Sequence, residues 1–232
     1  MTGWLASVMD VSEAQQVMDA GASIIDAKNP HEGALGALPL CTVRAIVDTV
    51  GRRVPVSATV GDFPRMEPHS VIHAVNAVGA TGVDFVKIGL FPAPALIDCL
   101  EELAPLCRQF RIVAVLFADQ NPDLQLVDRL AELGFAGVML DTMDKSSGWL
   151  LRHQPVERLA HFVTQARNLN LISGLAGSLR AVDISVLRSL NPNYLGFRGA
   201  LCHKHTRTQT IDLGALAAIT KALATRSASG TL

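Results

Sequence analysis

Eight short apolar segments recur along the chain and alternate with longer, more polar stretches. Several of the segments are rich in valine and isoleucine, which is typical of strands buried on both faces of a parallel sheet. They cover residues 4–8, 24–27, 54–59, 85–88, 112–117, 137–140, 171–175 and 194–197. This alternation predicts repeated strand–helix units and places the fold in the α/β class.

The stretches between these segments predict amphipathic helices that end at glycines. Residues 11–20 give the first helix, with Ser12 as the expected N-cap and Gly21 just beyond its end, where glycine readily adopts a left-handed conformation. Similar patterns cover residues 68–78, which stop at Gly79, and residues 123–133 and 155–169. The recurring order of helix, glycine and strand indicates one repeated β/α unit.

Eight strand–helix units in 232 residues predict a (β/α)8 TIM barrel near the lower size limit of that fold, roughly 200 residues. We expect one catalytic domain over residues 1–226, followed by a flexible C-terminal tail at residues 227–232, because the final residues are small and polar. A doubly wound open sheet is the alternative. Against it, no G-x-G-x-x-G motif follows the first strand, and eight parallel strands are many for this length.

Composition limits the partners of the chain. With 20 basic and 21 acidic residues, the formal net charge is −1. The chain therefore lacks the excess of positive charge that is typical of proteins that bind nucleic acid. No apolar run reaches the roughly 18 residues that a membrane-spanning helix requires, and the first ten residues lack the features of a signal peptide. The high apolar content of a small barrel favours association into homo-oligomers.

Cysteine and histidine spacing gives no sign of a metal site. The four cysteines form no C-x-x-C pair, which favours reduced thiols in a cytoplasmic protein. The sequence His203-Lys204-His205 has no further ligand at metal-binding spacing, so we interpret it as a solvated loop.

Charged residues collect where the even-numbered predicted strands end. Asp26 and Lys28 close the second strand, Lys87 lies in the fourth, and Asp141 ends the sixth with Lys145 four residues later. Active sites of TIM barrels lie at the C-terminal ends of the strands. Because side chains alternate along a strand, Asp26 and Lys28 point to the same side, and a charge inside a barrel is costly unless paired.

Lysines in such positions suggest amine chemistry. Burial and neighbouring cations both lower the pKa of a lysine, and a neutral amine attacks a carbonyl to form a Schiff base. Nearby carboxylates would orient the lysines and carry protons. The alternative is that each lysine extends to solvent. The coincidence of three lysines and two aspartates at these strand ends favours catalysis.

Glycines follow the last two predicted strands. The seventh strand leads into Gly177 and Ser178, and the eighth leads into Arg198 and Gly199. In TIM barrels, the loops after strands seven and eight frequently bind phosphate through main-chain N–H groups. An arginine there would add a charged guanidinium that binds phosphate through two N–H groups. Ordinary tight turns are the alternative. Their location favours a small phosphorylated substrate.

Six segments, taken together, are similar to those of one enzyme family. They are IIDAKNPHEGALGA, VSATVGDFP, DFVKIGL, VMLDTMDK, LAGSL and GFRGALC. Through them the chain resembles the (5-formylfuran-3-yl)methyl phosphate synthases. The resemblance implies a TIM-barrel lyase that condenses two molecules of glyceraldehyde 3-phosphate into 4-(hydroxymethyl)-2-furancarboxaldehyde phosphate, with loss of phosphate and water. That product is a precursor of the furan in methanofuran.

The same resemblance implies roles for individual residues. The Schiff-base lysine of the family matches Lys28, and its proton-accepting lysine matches Lys87. Asp26, Asp141 and Lys145 match further polar residues of the family's pocket, and no metal or organic cofactor is implied. Two other functions stay open: a different Schiff-base class I aldolase acting on another sugar phosphate, and a non-catalytic barrel that binds a phosphorylated metabolite.

Overall fold

Eight parallel strands form a closed barrel in which neighbours in sequence pair with each other and β8 pairs with β1. The computed structural model describes residues 2–224. The strands are β1 (Gly3–Val8), β2 (Ile24–Ala27), β3 (Val56–Thr59), β4 (Phe85–Leu90), β5 (Ile112–Phe117), β6 (Gly137–Asp141), β7 (Ile172–Leu175) and β8 (Tyr194–Phe197). The predicted (β/α)8 TIM barrel is therefore confirmed, and an open sheet is excluded because closure leaves no strand edge.

Helices alternate with the strands and surround the barrel. They are α1 (Val11–Asp19), α2 (Leu40–Val50), α3 (Pro68–Gly79), α4 (Leu96–Leu103), α5 (Leu126–Glu132), α6 (Leu150–His153), α7 (Val156–Asn168), α8 (Ile184–Ser189) and α9 (Leu213–Ala224). Every residue of β4 and β5 is buried, because one face of each strand fills the barrel and the other packs against helices.

Helix ends differ in detail from the sequence expectation. The N-cap of α1 is Asp10, whose carboxylate accepts a hydrogen bond from the N–H of Glu13 at 2.9 Å, so the expectation of Ser12 was wrong. Gly79 does not follow α3 but is its last residue, packed directly against the ring of Phe110. Gly21 follows the end of α1 with a φ of 85°, as predicted.

Helix α5 begins three residues later than the predicted start at residue 123. The side chain of Asp123 accepts a hydrogen bond from the N–H of Gln125 at 2.9 Å. This local bond gives the backbone a turn instead of a first helical turn, which is a common effect of aspartate at this kind of position.

Bulky apolar side chains fill the barrel interior beneath its mouth. Leu5, Phe85, Val113 and Tyr194 are almost completely buried and line a small internal cavity that also touches Lys87. The polar groups above this layer therefore lie in a medium of low dielectric constant, where pairing between charges matters most.

No helix within residues 2–224 is both long and apolar enough to cross a membrane. The predicted tail at residues 227–232 and the predicted domain end at residue 226 lie outside the described residues.

Candidate active site

A cavity of about 510 Å³ lies at the C-terminal ends of the strands. Lys28, Lys87, Lys145 and Asp141 all contribute to its wall. The chain has only five lysines, and three of them meet in this one cavity. Its position is that of active sites in TIM barrels, and its size suits a small molecule.

The carboxylate of Asp26 is fully buried beside this cavity. Strand register aligns Ser7, Asp26 and Ser57 on β1, β2 and β3, so the three side chains share one side of the sheet. The hydroxyls of Ser7 and Ser57 donate to the carboxylate at 2.8 and 2.6 Å. The Nζ of Lys87, itself buried, donates to the same group at 3.0 Å. Asp26 therefore anchors Lys87.

Electrostatics keep Asp26 ionised in this setting. Burial alone would raise the pKa of Asp26, but the positive charges of Lys87 and Lys28, with the two serine hydroxyls, hold it below its ordinary value. A carboxylate that stays charged in a buried position needs its cation, so Asp26 and Lys87 form one unit.

A second carboxylate, Asp141, lies between two lysines. Lys145 Nζ is 2.5 Å from one of its oxygens, and Lys28 Nζ is 3.5 Å from the other. Lys145 also donates to the main-chain and side-chain oxygens of Thr142. Burial opposes ionisation of Asp141, but Lys145 and Lys28 together bring its pKa well below the ordinary value. Lys145 has the closer contacts, so Lys28 is the more weakly paired lysine.

Lys28 has a strongly perturbed amine. Its side chain is 8% exposed, and burial lowers its pKa to about 8; Asp141 opposes this shift, whereas Lys145 and Lys87 add to it. At pH 7 an amine with this pKa is neutral in roughly one molecule in ten, against roughly one in 2,500 for an ordinary lysine. Lys28 is therefore the best-placed nucleophile in the cavity.

The loop after β7 presents main-chain donors to the cavity. Gly177 has a φ of 114°, and a Cβ there would lie 2.9 Å from Thr142 Cγ2, so the position needs a glycine. Across residues 2–224, the N–H groups of Gly177, Ser178 and Gly199 have no protein acceptor. All three residues line the cavity, and free N–H groups of this kind attract anions. Phosphate binding by this loop stays a prediction.

The guanidinium of Arg198 lies in the cavity wall but is engaged within the protein. It forms an ion pair with the buried carboxylate of Glu13, with bonds of 2.5 and 3.2 Å. Its other N–H groups donate to the main-chain oxygens of Ser7, Arg207 and Gln209. All five N–H donors have acceptors, so a phosphate contact from Arg198 would require one of these bonds to break. In this arrangement Arg198 fixes the loop that carries Gly199.

Sequence reasoning missed four polar residues of this region. Ser7 and Ser57 lie inside apolar strand segments, and their alignment with Asp26 is a signal only once strand register is known. Glu13 lies in the first helix and Arg207 follows the GFRGALC segment by five residues, but no local pattern marks either residue as part of the site. Among the described residues, no three metal-binding side chains come together, and His203 to His205 are exposed.

Comparisons with known proteins agree with one another. A family model described as 4-HFC-P synthase matches residues 4–220. A Methylorubrum extorquens protein provisionally named (5-formylfuran-3-yl)methyl phosphate synthase is 45% identical over 208 residues, covering 90% of this chain and 86% of the relative. The (5-formylfuran-3-yl)methyl phosphate synthase of Methanopyrus kandleri is 35% identical over 217 residues, covering 88% of this chain and 91% of that relative.

Solved structures show the same fold at low sequence identity. Phosphoribosyl anthranilate isomerase from Thermus thermophilus superposes with a TM-score of 0.67 at 15% identity, covering 97% of this chain and 98% of that structure. At this identity the likeness concerns the barrel architecture only.

Proposed function

Since the chain belongs to the 4-HFC-P synthase family, a family of enzymes, we propose that it condenses two molecules of glyceraldehyde 3-phosphate into (5-formylfuran-3-yl)methyl phosphate. One phosphate and two waters leave, which balances the atoms. The product would supply the furan of a methanofuran-type C1 carrier. The observation that carries this proposal is the Lys28 amine, which is buried at the barrel mouth with a pKa lowered to about 8.

The first step joins Lys28 to one triose phosphate. The neutral Nζ attacks the aldehyde carbon, and loss of water from the adduct leaves an iminium ion. Asp141, held ionised by Lys145, lies 3.5 Å from this nitrogen and stabilises the positive charge. The ammonium of Lys145, on the same carboxylate, is a proton donor beside the departing hydroxyl.

The second step removes a proton from the carbon next to the iminium and gives an enamine. Lys87 is the base in this proposal. Lys87 lines the same cavity as Lys28, so its Nζ, as the free amine, is placed to accept the proton of the substrate. Asp26, 3.0 Å away, then holds the ammonium that forms.

Bond formation between the two trioses follows. The enamine expels the phosphate from C3 of the imine-bound triose, and C2 of the second triose phosphate, in its enediol form, adds to the unsaturated C3 that results. The C2 oxygen of the first triose then closes the ring onto the aldehyde carbon of the second, loss of two waters gives the aromatic furan, and hydrolysis of the imine frees Lys28 and leaves the formyl group. The N–H groups of Gly177, Ser178 and Gly199 hold the phosphate of the first triose in this scheme, because they are free donors in the cavity wall.

Mass spectrometry of what the purified protein makes from glyceraldehyde 3-phosphate alone tests this proposal. We expect a furan phosphate with a new ultraviolet absorption. An open-chain sugar phosphate would instead assign the protein to the class I aldolases, and unchanged triose phosphate would contradict the proposal.

The reaction of Lys28 with an aldehyde should depend on pH in a defined direction. Only the neutral amine reacts, so the rate is expected to fall about tenfold per pH unit below the pKa of about 8 and to level off above it. The measurement is the rate of covalent trapping with glyceraldehyde 3-phosphate and cyanoborohydride between pH 6 and pH 10. A rate that keeps rising through pH 10, as for an ordinary lysine, would contradict the lowered pKa.

Lys145→Met is the matched variant for this pH profile. Lys145 disfavours the charged form of Lys28 and also competes for Asp141. Its removal eliminates a nearby cation and leaves Asp141 to Lys28 alone, so both effects raise the pKa of Lys28. The midpoint of the trapping profile should therefore move to higher pH; a midpoint that stays in place or moves down would contradict the electrostatic account.

A further inference from the structure

Arg207 occupies a distinctive position over the mouth of the barrel. It lies in the segment after β8, which an antiparallel bridge between Cys202 and Ile211 closes into a loop. From there its Nη2 donates to the main-chain oxygen of Gly33, after β2, at 2.9 Å. Strand β1 separates β8 from β2 in the barrel. The Arg207 side chain therefore crosses above the end of β1 and reaches the same loop that follows Lys28.

The guanidinium of Arg207 has no anionic partner. Three arginines line the cavity: Arg180 pairs with Asp183, Arg198 pairs with Glu13, and Arg207 is the third. Throughout residues 2–224, no carboxylate lies within 4.0 Å of the Arg207 guanidinium, and the bond to Gly33 occupies only one of its five N–H groups.

A partly buried charge without a counterion is unfavourable. Burial lowers the pKa of Arg207, and Asp141 and Asp62 oppose that shift only from a distance. An arginine stays charged at neutral pH nonetheless. An anion in the cavity would supply the missing partner, and the planar fork suits the two oxygens of a phosphate.

The loop that contains Gly33 holds the Arg207 guanidinium in place. The carboxylate of Asp62 accepts hydrogen bonds from the N–H groups of Ala34 and Leu35, both at 2.8 Å, and so fixes the loop that contains Gly33. One edge of the Arg207 guanidinium is therefore anchored, and its remaining donors are oriented before any ligand arrives.

Two groups of anion-binding donors thus flank Lys28. The free N–H groups of Gly177 and Ser178 follow β7, whereas Arg207 contacts the loop after β2, and β8 and β1 lie between these strands. We propose that Arg207 binds the phosphate of the second triose phosphate, the one that is joined to the imine-bound triose. This inference rests on the proposed function and adds a second phosphomonoester subsite to it.

A binding experiment tests this subsite without any chemistry. Glycerol 3-phosphate has no aldehyde and cannot form an imine, so its calorimetric titration reports phosphate binding alone. We expect two sites per chain in the wild type and one in Arg207→Ala. Lys204→Ala, which removes an exposed lysine of the same loop, should keep two. An Arg207→Ala titration indistinguishable from the wild type, or one site in the wild type, would overturn the inference.

Kinetics separate binding from a merely structural role. Loss of one charge-assisted phosphate contact should raise the KM for glyceraldehyde 3-phosphate by about 10- to 100-fold. Covalent trapping at Lys28, which needs only the first triose, should stay within about twofold of the wild type. A merely structural role predicts slower trapping too, because Gly33 and Lys28 share a loop, and that result would contradict the subsite. Arg207→Lys keeps the charge and should show a smaller rise in KM than Arg207→Ala.

The same data distinguish the two proposals. If the wild type forms no furan but binds two molecules of glycerol 3-phosphate, one of which depends on Arg207, the proposed function fails and the phosphate subsite stands. If furan forms at unchanged KM in Arg207→Ala, the subsite fails and the proposed function stands.

Discussion

Lys28→Ala is expected to lose furan formation by at least about a thousandfold, because no other amine in the cavity can replace it as nucleophile. Lys145 is held by Asp141 and Thr142, and Lys87 is held by Asp26. Folding should survive the change, since Asp141 keeps Lys145 as its counterion. The measurements are product formation followed by ultraviolet absorption and the free energy of unfolding in urea.

Lys204→Ala is the control for this experiment, because Lys204 is an exposed lysine outside the cavity wall. It should leave both the rate and the stability unchanged. A Lys28→Ala protein that folds and keeps more than about one hundredth of the wild-type rate would remove Lys28 from the role of nucleophile.

Lys87→Met is expected to abolish turnover and also to destabilise the fold. Methionine has a similar size but no charge, so the fully buried carboxylate of Asp26 keeps only the hydroxyls of Ser7 and Ser57. Breaking a buried ion pair in this way typically costs about 3–5 kcal/mol. Urea unfolding at pH 7 measures this loss directly.

The stability loss should shrink in acid. In the wild type the pKa of Asp26 is lowered, so its stabilising contribution is present above the ordinary aspartate range and is lost as the pH falls. Removing Lys87 takes away the largest contribution that opposes burial, so the pKa of Asp26 in the variant lies above its wild-type value. The wild type therefore loses more stability than the variant as the pH falls, and the difference in stability between the two proteins narrows.

The double variant Asp26→Asn with Lys87→Met separates the two effects. It removes both charges, so most of the stability should return while turnover stays absent. A double variant as unstable as Lys87→Met would contradict the pairing account. Normal turnover in either protein would remove Lys87 from the mechanism.

The barrel was predictable from sequence because its signal is local. A strand buried on both faces is a short run of apolar residues, and all eight runs coincide with strands to within two residues at either end. The exact helix ends were harder to predict from the sequence. Asp10 and Ser12 are both good N-caps, and only the path of the chain after β1 decides between them.

Pairing within the site was not predictable, because it joins residues far apart in sequence. Alternation along β2 placed Asp26 and Lys28 on one side, but their partners are Lys87, 61 residues from Asp26, and Asp141, 113 residues from Lys28. Arg198 is a second example of a pairing between residues far apart in sequence. Its residue type and location suggested a phosphate contact, whereas in the structure its guanidinium forms an ion pair with Glu13, 185 residues away.

Borohydride trapping with glyceraldehyde 3-phosphate, followed by tryptic peptide mapping, tests the central claim most directly. No lysine or arginine precedes Lys28, and the next cleavage site is Arg44, so a modified Lys28 resists cleavage and leaves one peptide of residues 1–44. We expect this peptide to carry the mass of one reduced triose phosphate. An adduct on Lys87 or Lys145 instead, or no adduct at all, would contradict an imine at Lys28.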